Sequence, residues 1–270
     1  MSRWRGAALL VITLAGVPSA AMSWTTAAAV GDSSPEVVIQ VDSHGGFVPV
    51  EIVQGNIPEI TVYADGRVFV QQEGGAFGHM VRLRLARIDE ERLQELLDQA
   101  RSIGLLGGTI VRDFGTPNVT DLTDTTVTLT VDGETFSTTV YALDFDAEDL
   151  TPEQQSNRSA LNDFIADVAG VDSSRSYRPA RLAVLTARAL DDRGDKVVEW
   201  PLEDIRTLGE AARLADRCFV VSGAELDTLL PLAKKARTAH RWDDAGDIDW
   251  RLVFRPLLPH ERTCEDIGAI

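Results

Sequence analysis

Two stretches of alternating residues constrain the fold of this chain more than any other feature of its sequence. In "EITVYADGRVFVQ" apolar residues alternate on both sides of Asp65–Gly66, and "TTVTLTVDGETFSTTVYAL" repeats this arrangement around Asp132–Gly133. An Asp-Gly pair supplies the positive φ angles that a two-residue hairpin turn needs. Alternation with a period of two buries one face of each strand. The pattern therefore predicts antiparallel sheet built from hairpins.

Amphipathic helices are predicted between these strands. Asp89 is a helix N-cap before a leucine stripe, and Thr151 opens "TPEQ", which has the spacing of a capping box. A third helix is predicted after Ser222, with Pro231 expected to kink it or end its regular part. Hairpins with few crossovers favour the α+β class.

Two segments give weaker patterns. Residues 43–58 contain three glycines and two prolines and are predicted to be mostly loop or short edge strand. Residues 202–216 are predicted to be helical, although Gly209 lowers the helix propensity there.

The polar segment 171–179 is predicted to be a linker between two small domains. The N-terminal α+β domain would span 36–170 and the C-terminal α+β domain 180–270, each with one or two helices packed on an antiparallel sheet.

A possible internal duplication is a further hypothesis. One apolar pattern occurs twice with an offset of 133 residues, although LxxLLxxA is an ordinary amphipathic pattern. Its two copies are Ile88, Leu93, Leu96, Leu97, Ala100 and Val221, Leu226, Leu229, Leu230, Ala233.

Residues 1–30 have the three parts of a secretory signal peptide. Arg3 and Arg5 precede an apolar run, and small residues follow it. Cleavage is expected between about Ala21 and Val30, leaving a secreted protein without a stable membrane span. The alternative is an uncleaved anchor, but the second half of this stretch is only weakly apolar.

The chain has two cysteines, Cys218 and Cys264, which predict one disulfide in an oxidising compartment. The alternatives are two free thiols, or an activated thiol at Cys264 beside His260 and Glu261.

Acidic residues dominate the charge of the chain, with a formal net charge of −16. This charge repels phosphate backbones and argues against nucleic acid as a partner. A cluster of four aspartates in one short segment offers oxygen ligands of the type that calcium prefers, but not in EF-hand order. The members are Asp243, Asp244, Asp247 and Asp249. The alternative is a solvated loop before the last strand. No cofactor is therefore expected, although a calcium ion at these aspartates is kept as a second hypothesis.

A candidate polar cluster is formed by Asp42, His44 and His79, the first two within "DSHGG". No GxSxG nucleophile elbow, HExxH metal motif or phosphate-binding glycine loop occurs in the sequence. No catalytic residue is therefore assigned.

Trp200, Trp242 and Trp250 lie in the C-terminal half. Together they predict either an exposed recognition patch or, the favoured interpretation, the core of the second domain.

Two runs carry a resemblance to known proteins. "PEITVYADGRV" (58–68) and "RPLLPHERTC" (255–264) resemble a family of exported actinobacterial proteins of unknown function. In that family the hairpin follows P-x-x-T-V-Y-x-D-G-R-V and the end follows R-P-L-L-P-x-E-x-x-C. The resemblance implies export from a Gram-positive bacterium and a shared architecture, and it brings no activity or ligand.

The function expected from the sequence is a non-catalytic extracytoplasmic binding or interaction module of the cell envelope. Its partner would be a protein or a small ligand. One alternative is a secreted hydrolase whose site the fold assembles from Asp42, His44 and His79. Another is a calcium-binding envelope protein that uses the Asp243–Asp249 loop.

Overall fold

The computed structural model describes residues 34–72, 78–107, 112–146, 148–172, 175–189, 196–245 and 248–269. The predicted signal peptide, residues 1–30, lies outside the described residues. Residues 34–270 cluster as one compact unit that contains two sheets, both largely antiparallel. The α+β class predicted from the sequence is confirmed.

The first sheet has seven strands in the order β6-β5-β1-β2-β3-β4-β7, all paired antiparallel. They are β1 Val37–Gly45, β2 Ile60–Tyr63, β3 Arg67–Gln71, β4 Leu83–Arg87, β5 Thr123–Val131, β6 Glu134–Tyr141 and β7 Arg175–Ser176.

Both predicted hairpins are present in this sheet. Strands β2 and β3 flank Gly66, which has φ 81°, and β5 and β6 flank Asp132 and Gly133, with φ 52° and 79°. Two successive positive φ angles are those of the turn type that matches strand twist. Strand β7 comes from the segment predicted as a linker and pairs with β4.

Three helices belong to this half of the chain: α1 Val50–Gly55, α2 Glu90–Ser102 and α3 Pro152–Ala169. The Asp89 side chain accepts a hydrogen bond from the backbone N–H of Arg92, and Thr151 and Gln154 form the predicted reciprocal capping box. The leucine stripe of α2 and the apolar face of α3 are buried in one core with the sheet. Helix α1 lies in the segment predicted as mostly loop or short edge strand, so that prediction was wrong for residues 50–55.

The second sheet has six strands in the order β10-β11-β8-β13-β12-β9, and only β12 and β9 are parallel. The strands are β8 Arg181–Arg188, β9 Val197–Glu199, β10 Glu210–Ala211, β11 Arg217–Ser222, β12 Arg241–Asp243 and β13 Asp249–Pro256. Helix α4, Gly223–Ala233, packs on this sheet. The two sheets differ in strand number and order, and the predicted duplication is not confirmed.

The three C-terminal tryptophans are buried, as the favoured interpretation predicted. Trp242 is fully buried, and its ring meets Trp200 edge-on with centroids 5.9 Å apart and Phe254 with centroids 5.3 Å apart. Trp250 is buried in the same cluster. These rings form the second core and leave no exposed tryptophan patch there.

The helix predicted over 202–216 was wrong. This segment contains a short 3-10 helix, Ile205–Thr207, and then β10. Gly209 has φ 66° and lies so close to β11 that a side chain would collide with the carbonyl oxygen of Cys218. Only glycine fits such a close backbone approach, so pairing with β11 overrides the helical pattern.

Aromatic and polar contacts join the two sheets, and we call this region the seam. The Tyr63 ring meets Phe69 edge-on, and Phe69 meets Tyr177 with centroids 4.8 Å apart. The Tyr177 hydroxyl donates to the carbonyl oxygen of Leu257, 2.9 Å away. Burial raises the pKa of Tyr177 to about 12, so this hydroxyl stays a donor at neutral pH.

A buried ion pair completes the seam. The Arg255 guanidinium donates two hydrogen bonds of 2.8 Å to the Glu261 carboxylate, and both side chains are less than a tenth exposed. Glu261 also accepts the backbone N–H of Leu258, and Arg255 Nε donates to the carbonyl oxygen of Asn56. The seam therefore fixes both the end of α1 and the segment after β13.

In the part of the chain that the structure describes, each helix is too short or too polar to traverse a lipid bilayer.

Candidate functional site

The predicted polar cluster is only partly brought together. Asp42 and His44 both lie on β1, and His44 Nδ1 is 3.9 Å from Asp42 Oδ2. Asp42 Oδ1 accepts a hydrogen bond from Asn56 Nδ2 at 3.0 Å, which ties the residue after α1 to β1. Burial raises the pKa of Asp42, opposed chiefly by this hydrogen bond. The Asp42 carboxylate is thus already hydrogen-bonded to Asn56 within the fold.

His79 lies at a separate feature, a cavity of about 150 Å³ between α1, the residues before β4 and the residues after α4. Its polar lining includes Glu51, Asn56, Gln71 and Thr238. Pockets that enclose small ligands usually measure about 300–1,000 Å³. The cavity is therefore small for a substrate, and Asn56 is its one link to Asp42.

The described aspartates of the predicted calcium site each have a protein partner. Asp243 accepts the backbone N–H of Ala245, and Asp244 accepts the indole N–H of Trp250 at 3.1 Å. Asp249 Oδ2 lies 2.9 Å from Arg241 Nη1. Among the described residues no three acidic, histidine or cysteine side chains form a metal-binding group. Asp247 lies outside the described residues.

Cys218 and Cys264 form the predicted disulfide, with Cα atoms 6.1 Å apart. The bond joins β11 to the segment that follows β13. The alternatives of free thiols and of an activated Cys264 thiol are wrong for this structure, because neither sulfur carries a proton and Glu261 is occupied by Arg255.

The most unusual surface is one that the sequence patterns did not predict. Seven large apolar side chains of the described residues are strongly exposed, and four of them fall within seven consecutive residues around α1. These four are Phe47, Val48, Val50 and Val53, and we call them the apolar ridge. Phe47 is 91% exposed. In the sequence this surface corresponds to "FVPVEIV", an apolar run that has neither strand nor helix periodicity.

Contacts on the inner side of α1 hold the apolar ridge in place. Gln54 is buried, and its side-chain amide donates to the carbonyl oxygen of Leu214, itself an exposed apolar residue. Ile57 is buried in the seam. Asn56 is bonded to Asp42 on the first sheet and to Arg255 on the second. The ridge is thus an exposed apolar surface on a fixed backbone.

Acidic groups lie beside the ridge. A side chain at Gly45 would contact the carboxylate of Asp124. Glu51 lies within α1 itself. An apolar centre with a charged margin is the usual anatomy of a protein contact surface.

Comparisons of this chain with protein-family models, with curated proteins and with solved structures found no match.

Proposed function

We propose that this protein is an exported, non-catalytic binding module of the cell envelope and that the apolar ridge is its contact surface. The observation that carries the proposal is the 91% exposure of Phe47 near three exposed valines, two of which lie on α1. Isolated exposed apolar residues are ordinary, but a contiguous set marks a surface that another molecule covers.

The fixed backbone supports the same role. Binding costs less when the contact surface is already ordered, because little conformational freedom is lost on association. The hydrogen bonds of Gln54 and Asn56 order α1 before any partner arrives. The partner's contact surface would be apolar, with basic groups opposite the acidic margin of the ridge.

Export is part of the proposal and rests on two features. The N-terminal basic, apolar and small-residue pattern is typical of a signal peptide. The disulfide between Cys218 and Cys264 suits an oxidising compartment outside the cytoplasm of a Gram-positive bacterium, in line with the resemblance to exported actinobacterial proteins. The exported chain is expected to begin between about Ala21 and Val30, which intact-mass measurement of the released protein checks.

Site-specific photocrosslinking tests the contact surface. A photoreactive phenylalanine is placed at position 47 or 50 and, as controls, at Phe145 or Val197, which are exposed apolar positions outside the ridge. We expect one discrete protein adduct from the ridge positions in the envelope of expressing cells and none from the controls. The adduct should disappear when Val53→Asp is added, since a charge introduced into the ridge is costly to bury. Equal labelling at all four positions, or none, would contradict the proposal.

A further inference from the structure

Four strands form the edges of the two sheets, and one of them differs from the rest. Strands β7 and β10 have two residues each and β9 has three, whereas β6 has eight. Short edge strands, lysines, prolines and bulges are the usual means by which proteins prevent edge-to-edge pairing. The sequence of β6, "ETFSTTVY", has no lysine or proline, and its pairing with β5 is regular along its whole length.

The register shows which backbone groups of β6 face outward. Ala142 N–H donates to the carbonyl oxygen of Thr123 across the two strands, and the residues of an antiparallel pair alternate between bonded and non-bonded positions. Even-numbered residues of β6 therefore bond to β5. The backbone groups of Thr135, Ser137 and Thr139 point away from the sheet, and among the described residues they have no backbone partner.

The side chains of the same three residues form one exposed polar row. Their hydroxyls lie 2.9–3.5 Å from those of threonines on β5. The three pairs are Thr126 with Thr139, Thr128 with Ser137 and Thr130 with Thr135. No charged side chain occurs between positions 135 and 140. Between positions 135 and 140 the edge is uncharged, and its outward-facing residues are polar.

We infer that β6 pairs antiparallel with β6 of a second copy of this chain, about a two-fold axis at Ser137. The three outward-facing residues are symmetric about that position. The axis sets Ser137 opposite Ser137 of the second copy and Thr135 opposite Thr139. All outward N–H and C=O groups of these residues are then satisfied in six backbone hydrogen bonds, and the row of hydroxyls continues across the junction. The two Glu134 residues, one from each copy, lie at opposite ends of the paired strands, so their charges are far apart.

The joined sheets form one continuous sheet of 14 strands from two copies of the seven-stranded sheet. A second copy presents the same uncharged row of hydroxyls, which the two-fold axis aligns with the row of the first copy. Isologous pairing of this kind closes at two chains, since each copy has one such edge.

Cysteine trapping tests the register directly. Directly opposed, hydrogen-bonded residues have Cα atoms about 5.5 Å apart, within the range of a disulfide. Ser137→Cys should therefore crosslink two chains under mild oxidation. Thr135→Cys and Thr139→Cys are the matched controls. Each places its thiols about 13 Å apart across the axis, so neither should crosslink alone. The native cysteines do not interfere because they are paired with each other.

Solution mass provides the second measurement. The mature protein should sediment with twice the mass of one chain at micromolar concentration. Ser137→Pro should halve that mass with little change in melting temperature, because the N–H that proline removes has no backbone partner in the described part of one chain. Ser137→Thr should retain the doubled mass. A single-chain mass at every concentration, a doubled mass that persists in Ser137→Pro, or crosslinking at position 135 in place of 137 would each overturn the inference. The crosslinks of the apolar ridge do not depend on these outcomes.

Discussion

The Tyr63 hydroxyl lies 2.7 Å from His260 Nδ1, a contact between residues 197 positions apart that joins β2 to the segment after β13. Burial is the main cause that lowers the pKa of His260 and raises the pKa of Tyr63. Burial therefore favours the neutral imidazole, which shares a hydrogen bond with the Tyr63 hydroxyl.

We expect stability to fall as the pH falls below about 6.5, the ordinary pKa of histidine. In that range the unfolded chain binds a proton at His260 that the folded protein excludes, so the free energy of unfolding decreases with acidification. His260→Gln should reduce this slope. Urea unfolding at several pH values measures it. An identical slope in wild type and His260→Gln would contradict the assignment.

The buried ion pair of the seam should be the most sensitive point of the fold. Glu261→Gln leaves the Arg255 guanidinium buried without its counter-charge, and such a change costs about 3–5 kcal/mol. Asp227→Asn, which breaks the exposed pair with Arg178, is the control and should cost less than about 1 kcal/mol. Equilibrium denaturation compares the two variants. Equal losses would show that the seam does not depend on this pair.

Loss of the disulfide should weaken the protein without changing its fold. The bond closes a loop across a sequence separation of 46 residues, which the chain-entropy model values at about 4 kcal/mol. The Cys218→Ala, Cys264→Ala double variant should unfold at correspondingly lower denaturant, and a reducing agent should shift wild type but leave the variant unaffected. Thiol labelling of the unreduced wild-type protein at two sites would contradict the bond.

We expect calcium to leave the melting temperature of the mature protein unchanged relative to EDTA. Asp249 is neutralised by Arg241, and Asp244 accepts the Trp250 indole N–H, so a cation would have to displace existing partners. Sodium chloride at equal ionic strength is the control, because screening alone affects a chain of net charge −16. A saturable rise in melting temperature that is lost in Asp247→Ala, Asp249→Ala would instead establish a calcium site, since a ligand of the native state must stabilise it.

Features with a local cause were predictable from the sequence. The hairpin at Asp132–Gly133, the N-cap at Asp89 and the capping box at Thr151 each depend on a few neighbouring residues, and each is present as predicted. The disulfide followed from there being two cysteines in a chain with an export pattern. The fold class followed from the same hairpins.

Features with a distant cause were not predictable in this way. Helix α1 follows two glycines and is held by Asp42 and Arg255, residues that no local pattern connects to it. Gly209 prevents a helix only because β11 lies against it. The apolar ridge could not be predicted for the same reason, because the exposure of Phe47 depends on how the whole chain packs around "FVPVEIV".

The position of β13 has a consequence for biogenesis. This strand lies between β8 and β12 inside the second sheet, although it spans residues Asp249–Pro256 and is the last strand in chain order. A nascent chain that has reached β12 still lacks the strand that connects β8 to the rest of that sheet. The second sheet therefore cannot be completed before the residues of β13 have been synthesised.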